Sequence, residues 1–378
     1  MTVGAIALLL RVTGTVTDAY PPSFAVWVFA GFTAVAGLPF TMRGVVDGSA
    51  RWRRAAAIAA VPLTLAGGFM LIDQQYGIWP TVGDVLAHNG VIGTDQATAM
   101  LNNPNARPAA ATAGVTVALD APATRSHFHH RPGMVFLPPA YFGPDGAKLP
   151  VLVMLVGAPG TPVNWLTSGG GRPADNAIAA AHHGVAPVLV IVDHNGSATG
   201  DTECVDGPQG NAETYLTQDV PAFISGTLHI QHDAGRWGIV GFSEGGTCSL
   251  DLVLGHPGIY QHLVDLGGDA KPNLGNPQHT LMALYGGSTA AERAHDPSLL
   301  LAARRFPGVT AWFGAGADDP AKIVVAQHMT AAATRDGIPA ATYVGVGGHN
   351  WQFAADAFAH ILPRLCTQLG MAEYDPPH

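Results

Sequence analysis

Charge is scarce in this chain. Of its 378 residues 12% are Asp, Glu, Lys or Arg, and lysine occurs only at 148, 271 and 322. The formal net charge is −9 and no Lys/Arg cluster lies in the later chain, so a nucleic-acid partner, which needs a basic surface to meet phosphates, is excluded. Cysteine is scarce too: Cys204, Cys248 and Cys366 are too few for a disulfide scaffold and lack the spacing of a zinc site, so neither metal nor other cofactor is expected. What is plentiful is apolar residues, at 48%. Such length and hydrophobicity suit a large domain joined to a membrane-attached portion.

The first eighty residues carry that portion. Ser23 to Phe40 is mostly apolar, about the ~18 residues needed to approach a bilayer crossing at ~1.5 Å per residue, and Ala55 to Ile72 is a second such run. Two transmembrane helices are expected at about 23–41 and 55–73. Arg43, Arg51, Arg53 and Arg54 lie between them against Asp47 alone, which puts that loop in the cytoplasm and the rest of the chain outside. A cleaved signal peptide is disfavoured, because no basic segment precedes a suitable core. Residues 1–80 then form a membrane anchor, 81–114, rich in Pro, Ala and Asn, a juxtamembrane linker, and 115–378 a catalytic domain.

Within 115–378 the apolar runs are short and continuous: Gly133–Leu137, Leu149–Val156, Ala186–Val192, Trp237–Val240, 262–266, Val309–Phe313 and Ala341–Val346. Runs of that kind belong to parallel strands covered by helices on both faces. Helices are expected at 173–183, 213–228 kinked or divided at Pro221, 245–255 and 352–369, and 270–300 reads as a looser insertion over the site. The fourth strand breaks into Gly241-Phe242-Ser243-Glu244-Gly245, a Gly-x-Ser-x-Gly elbow between strand and helix. A serine hydroxyl is a weak nucleophile. Held on a sharp turn, it stands clear of the backbone, faces a base and sits at a helix N-terminus that favours negative charge.

The remaining chemistry follows in chain order. Asp318 and Asp319 follow one late strand and His349 follows the last, the order Ser, acid, His of the α/β-hydrolase triad. His349 takes the Ser243 proton while a carboxylate orients it. Gly316-Ala317-Asp318-Asp319 favours Asp319 as the acid and leaves Asp318 an alternative. Gly157-Ala158-Pro159-Gly160 after the second strand supplies the oxyanion hole through the N–H of Ala158, with that of Glu244 as its partner. Gly157 and Trp351 are taken as substrate-binding positions. Cys204 and Cys248 both fall near the top of the sheet, where an oxidising exterior would pair them and pin the rim loop to the elbow helix. Asp201, Glu203 and Asp206 lack a calcium-loop pattern and read as a solvated rim. His127, His129 and His130 read as a surface turn.

With these residues in place the chain resembles the esterase D-like α/β-hydrolases, and within them the mycobacterial mycolyltransferases of the antigen complex. Glu213-Thr214-Tyr215-Leu216-Thr217-Gln218-Asp219-Val220-Pro221 is similar to their Glu-Thr-Phe-Leu-Thr-x-x-Leu-Pro segment, and His349-Asn350-Trp351 to their His-Ser-Trp. The chain also resembles membrane-tethered actinobacterial esterases. It departs from the mycolyltransferases at Leu155-Val156-Gly157-Ala158-Pro159, where they carry Leu-Asp-Gly-Leu-Arg, and in offering an aspartate where their acid is a glutamate. The resemblance implies a serine hydrolase working through an acyl-enzyme on acyl esters, lipid-linked ones included. The alternatives are an acyltransferase with a sugar or lipid alcohol as acceptor, and a membrane-bound binding protein that keeps the fold.

Overall fold

A computed structural model describes residues 91–102, 113–197 and 199–371. The two expected membrane spans lie outside the described residues, among which no helix is long and apolar enough to cross a membrane. The described residues hold ten strands: β1 (Val115–Val117), β2 (Met134–Leu137), β3 (Val151–Leu155), β4 (Val188–Ile191), β5 (Asp206–Gly207), β6 (Gly210–Asn211), β7 (Trp237–Phe242), β8 (His262–Leu266), β9 (Thr310–Gly316) and β10 (Ala340–Gly345). The short pair β5 and β6 forms a separate hairpin, and the other eight make one sheet in the order β1-β2-β4-β3-β7-β8-β9-β10. β1, β2 and β4 pair antiparallel, and from β4 onward every neighbouring pair is parallel.

The parallel strands are buried because both faces are covered. β3, β4, β7 and β8 are buried at every position, as their unbroken apolar runs require. The helices are α1 (Thr94–Asn102), α2 (Gly171–Ala181), α3 (Val220–Gly226), α4 (Glu244–Gly255), α5 (Pro277–Tyr285), α6 (Thr289–Ala294), α7 (Pro297–Ala303), α8 (Pro320–Arg335) and α9 (Trp351–Gln368). α2 packs on α9, while α4, α7 and α8 form another packed group. Parallel strands gather their carboxyl ends on one edge, where the loops after β3, β4, β7, β9 and β10 meet.

Two stretches differ from what their residues suggest alone. The 213–228 segment is divided near Pro221 as expected, but not by a simple break: Tyr215–Asp219 forms a π-helical stretch and Pro221 then stands in the first turn of α3. There its missing N–H and fixed φ are harmless, and the wider turn absorbs the clash that a proline makes with the preceding helical carbonyl. The insertion 270–300 is not loose either, since it holds α5, α6 and most of α7. Asn276, Ser288 and Asp296 each accept a hydrogen bond from the first turn of the helix they precede, and Pro277 and Pro297 open two of them. The insertion packs against the rim rather than floating above it: Val205 forms a small apolar cluster with Leu284 and Tyr285.

Candidate active site

The turn after β7 holds Ser243 at φ 58° and ψ −122°, a backbone conformation that a side-chain-bearing residue rarely adopts. The positions two residues to either side of it have to be glycine. A Cβ at 241 would run into the carbonyl of Gly245, and one at 245 would lie 2.5 Å from the carbonyl oxygens of both Leu155 and Val156. The result is a serine at the N-cap of α4, with its hydroxyl clear of the sheet.

His349 reaches it from the loop after β10. Nε2 of His349 lies 2.8 Å from Ser243 Oγ, and Nδ1 lies 3.2 Å from Asp319 Oδ2. A proton on Nδ1 facing the carboxylate leaves Nε2 as the acceptor for the hydroxyl, the tautomer a general base needs. Gly267, at φ 73°, permits the approach, since a Cβ there would press on His349 Cε1 at 3.1 Å. Phe242 supports the imidazole, its ring centroid 5.1 Å away.

Asp319 is fixed from its other side. Its carboxylate caps α8 by accepting from the Lys322 N–H at 3.3 Å. Burial works against ionising this carboxyl, but the hydrogen bond from His349 and the nearby positive charge outweigh that and hold it below the usual carboxylate range. Asp318, the alternative acid, points elsewhere: it is exposed, and its backbone N–H donates to the Gly347 carbonyl at 2.9 Å. The structure thus brings Ser243, His349 and Asp319 together and leaves Asp318 out, because only the second of the two acids occupies the helix-capping position beside the imidazole.

On the opposite side of Ser243 lies the turn after β3. Gly157 is buried against the nucleophile, so that a Cβ at 157 would lie 2.7 Å from the Ser243 Cβ. It leaves no room for substrate at its own Cα, and its part is to let the two turns touch. Ala158 follows it, half-buried, and Glu244 opens α4, where a first-turn N–H has no intrahelical acceptor. Trp351, expected to touch substrate, does not: it is 3% exposed and packs edge-on against Trp165 at 5.3 Å and beside Phe242 at 4.9 Å. An indole that large at the start of α9 is drawn into the core beneath the imidazole.

Two groups of side chains beside the site, one around Glu244 and one around Arg131, were not legible as such in the sequence. The Glu244 side chain is buried and accepts from Asn195 Nδ2 at 2.8 Å, with His194 Nε2 also 2.8 Å away. Burial alone would lower the His194 pKa, but the Glu244 carboxylate raises it past its ordinary value. Arg131 makes a two-pronged bond to Asp193, with Nε at 3.0 Å and Nη2 at 2.7 Å, and donates Nη1 to the Gly160 carbonyl at 2.9 Å. A strand running into Asp193-His194-Asn195 was the available signal, but the partners are far away in sequence. Cys204 and Cys248 form a disulfide with Cα atoms 5.4 Å apart, tying the loop after β4 to α4. Asp201 and Glu203 are not the solvated rim their polarity suggests: Glu203 is 2% exposed, and Asp201 Oδ1 and Glu203 Oε2 are buried without partners among the described residues. His130 lies 3.2 Å from Asp120 and stacks on Tyr215 at 4.7 Å, part of a packed turn.

A hydroxyl hydrogen-bonded to an oriented imidazole is equipped to attack a carbonyl carbon. Comparison with known proteins agrees in class. Residues 126–365 match the family model described as "Putative esterase". The uncharacterized protein Cgl0967/cg1104 of Corynebacterium glutamicum is 32% identical over 252 residues, a stretch covering 65% of this chain and 59% of that protein. Among solved structures, a ferulic acid esterase is 20% identical with a TM-score of 0.55, covering 68% of this chain and 98% of its own. An S-formylglutathione hydrolase from Agrobacterium tumefaciens is 19% identical with a TM-score of 0.55, covering 69% and 96%. FphF, a fluorophosphonate-binding serine hydrolase of Staphylococcus aureus, is 15% identical with a TM-score of 0.55, covering 68% and 99%. At such identities the likeness is one of fold, whereas the family match spans most of the described domain. The chain belongs to this esterase family, built on a mostly parallel α/β-hydrolase sheet.

Proposed function

We propose that the chain is a serine carboxylic-ester hydrolase in which Ser243 forms an acyl-enzyme, His349 serves as base and then acid, Asp319 orients the imidazole, and the N–H groups of Ala158 and Glu244 hold the oxyanion. The observation that carries the reading is the 2.8 Å contact between His349 Nε2 and the hydroxyl of a serine held in a strained turn. Strain of that kind has no packing purpose and a clear chemical one. Attack by Oγ passes its proton to Nε2, the imidazole returns it to the departing alcohol, and water repeats the sequence to free the acid.

The substrate we assign is an acyl ester of a lipid or of the cell envelope, met outside the cytoplasmic membrane. Two apolar runs flanking an arginine-rich loop support an anchor at about 23–41 and 55–73, and a buried disulfide suits an oxidising compartment. Covalent capture by a fluorophosphonate probe tests the chemistry: full-length protein should label at Ser243, and Ser243→Ala should lose both labelling and hydrolysis of nitrophenyl esters, by roughly 10⁴-fold or more in kcat. Undiminished labelling of the alanine variant would sink the assignment. A chain-length series of the same esters then reads acyl preference, and acyl product found on an added alcohol instead of as free acid would redirect the reading to transfer.

A further inference from the structure

The core beneath the nucleophile helix brings together four side chains that are far apart in sequence: His194, Cys204, Glu244 and Cys248. One ligand atom from each lies within 4.8 Å of all the others, and all four residues are buried. We propose that in the dithiol state of the protein these four side chains bind a borderline divalent cation of the zinc type, so that the same pair of cysteines serves as a disulfide when oxidised and as half of a metal site when reduced.

The donor set is right for such an ion: two thiolates, one imidazole and one carboxylate are the ligands zinc takes in closed tetrahedral sites. Bond lengths of roughly 2.0–2.3 Å in a tetrahedron put ligand atoms roughly 3.3–3.8 Å apart. That is within the 4.8 Å spread already present. Glu244 and Cys248 are four apart on α4, so both project from one helix face. His194 and Cys204 come from the loop after β4, and that loop is held by bonds independent of the sulfurs. Thr202 donates Oγ1 to the His194 carbonyl at 2.8 Å, its N–H donates to Asn195 Oδ1 at 3.0 Å, and the Cys204 N–H donates to Thr202 Oγ1 at 3.1 Å. Opening the S–S bond leaves those supports in place.

The chemistry balances with a named reductant. A dithiol gives the disulfide two electrons and two protons, leaving as its own disulfide; the two protein thiols then lose their protons as the cation binds. The experiment uses the full chain, reduced anaerobically with a phosphine, its thiols counted by alkylation and its fold checked by circular dichroism, then titrated with cobalt(II) as a visible substitute for zinc. The reduced protein should bind one equivalent, with thiolate-to-cobalt charge transfer and the strong visible bands of a tetrahedral ion. The oxidised protein should show neither. His194→Ala should keep charge transfer but bind roughly 10-fold or more weakly and lose the tetrahedral band pattern, and Cys248→Ser should lose most of the charge-transfer intensity. Reduced, folded protein without a thiolate band overturns the proposal. So does an identical spectrum from the oxidised form or from Cys248→Ser, or a disulfide that cannot be reduced in the native state.

Discussion

The two sides of Ser243 are built on different terms. On one side His349 and Asp319 are half-exposed, each bonded on two sides or packed on a ring, and every polar atom that matters to proton transfer faces a partner. On the other, Glu244, His194, Cys204 and Cys248 are sealed in, beside carboxyl oxygens of Asp201 and Glu203 that have no partner among the described residues. Groups that exchange protons with a substrate have to be reachable, and they keep their geometry through hydrogen bonds. Groups that merely hold the elbow helix can be buried, where a disulfide and a paired carboxylate fix position strongly because the surroundings are dry. The contrast predicts that damage on the first side reads out as lost rate with little lost stability, and damage on the second as lost stability.

The sharpest break of that contrast is at the acid. Asp319→Asn should lower kcat by roughly 10³–10⁴-fold with a nearly unchanged melting temperature, while Asp318→Asn should stay within about twofold of the parent; steady-state kinetics on a nitrophenyl ester decides between the two. An equal loss from both would return the question to the turn itself. Gly157→Ala comes next, because its methyl meets the Ser243 Cβ. A displacement of the nucleophile by a fraction of an ångström should cost on the order of 10²-fold in kcat, and a wild-type rate would show that the turn yields freely.

On the sealed side, His194→Ala strips the Glu244 carboxylate of its buried imidazole partner and should destabilise by about 3–5 kcal/mol, seen in denaturant titration. If instead rate falls while stability holds, the division between the two sides is wrong. The smallest effect is expected at Asp265. Burial pushes its carboxyl up from 3.8 to about 7, while the Gly268 N–H, donating at 2.7 Å, pulls the other way. An acid whose folded-state pKa is raised favours the fold while protonated, so its contribution is whole below about 3.8 and is lost as pH rises to about 7. Asp265→Asn should therefore raise the melting temperature more at pH 8 than at pH 5, by about 2–4 °C for each kcal/mol regained. A pH-independent shift would assign the change to packing.

Much of this was legible in the sequence because strands covered on both faces advertise themselves. Trp237 to Val240 could only be buried, and the glycines at 241 and 245 mark a turn with no room for side chains. The choice between Asp318 and Asp319 had a local signal, an aspartate directly before Pro320, which is how helices often begin. The same signal opens α5 and α7, where Asn276-Pro277 and Asp296-Pro297 read as a looser insertion when prolines are counted without regard to what precedes them. What stayed hidden is pairing across distance. Nothing near Glu244 announces His194 at its side chain, and nothing near His349 announces that Trp351 turns inward rather than toward substrate.

Arg131 bridges two strand ends. Its flat cation is strung between the carboxylate that ends β4 and a carbonyl in the turn after β3, so it works as a tie-rod across two adjacent strand ends. The turn after β3 beside Ser243 and the segment that supports Glu244 are thereby one stiff piece, and neither moves without the other. A lysine there would preserve the charge and drop the tie, because a single ammonium has no fork with which to grip both ends.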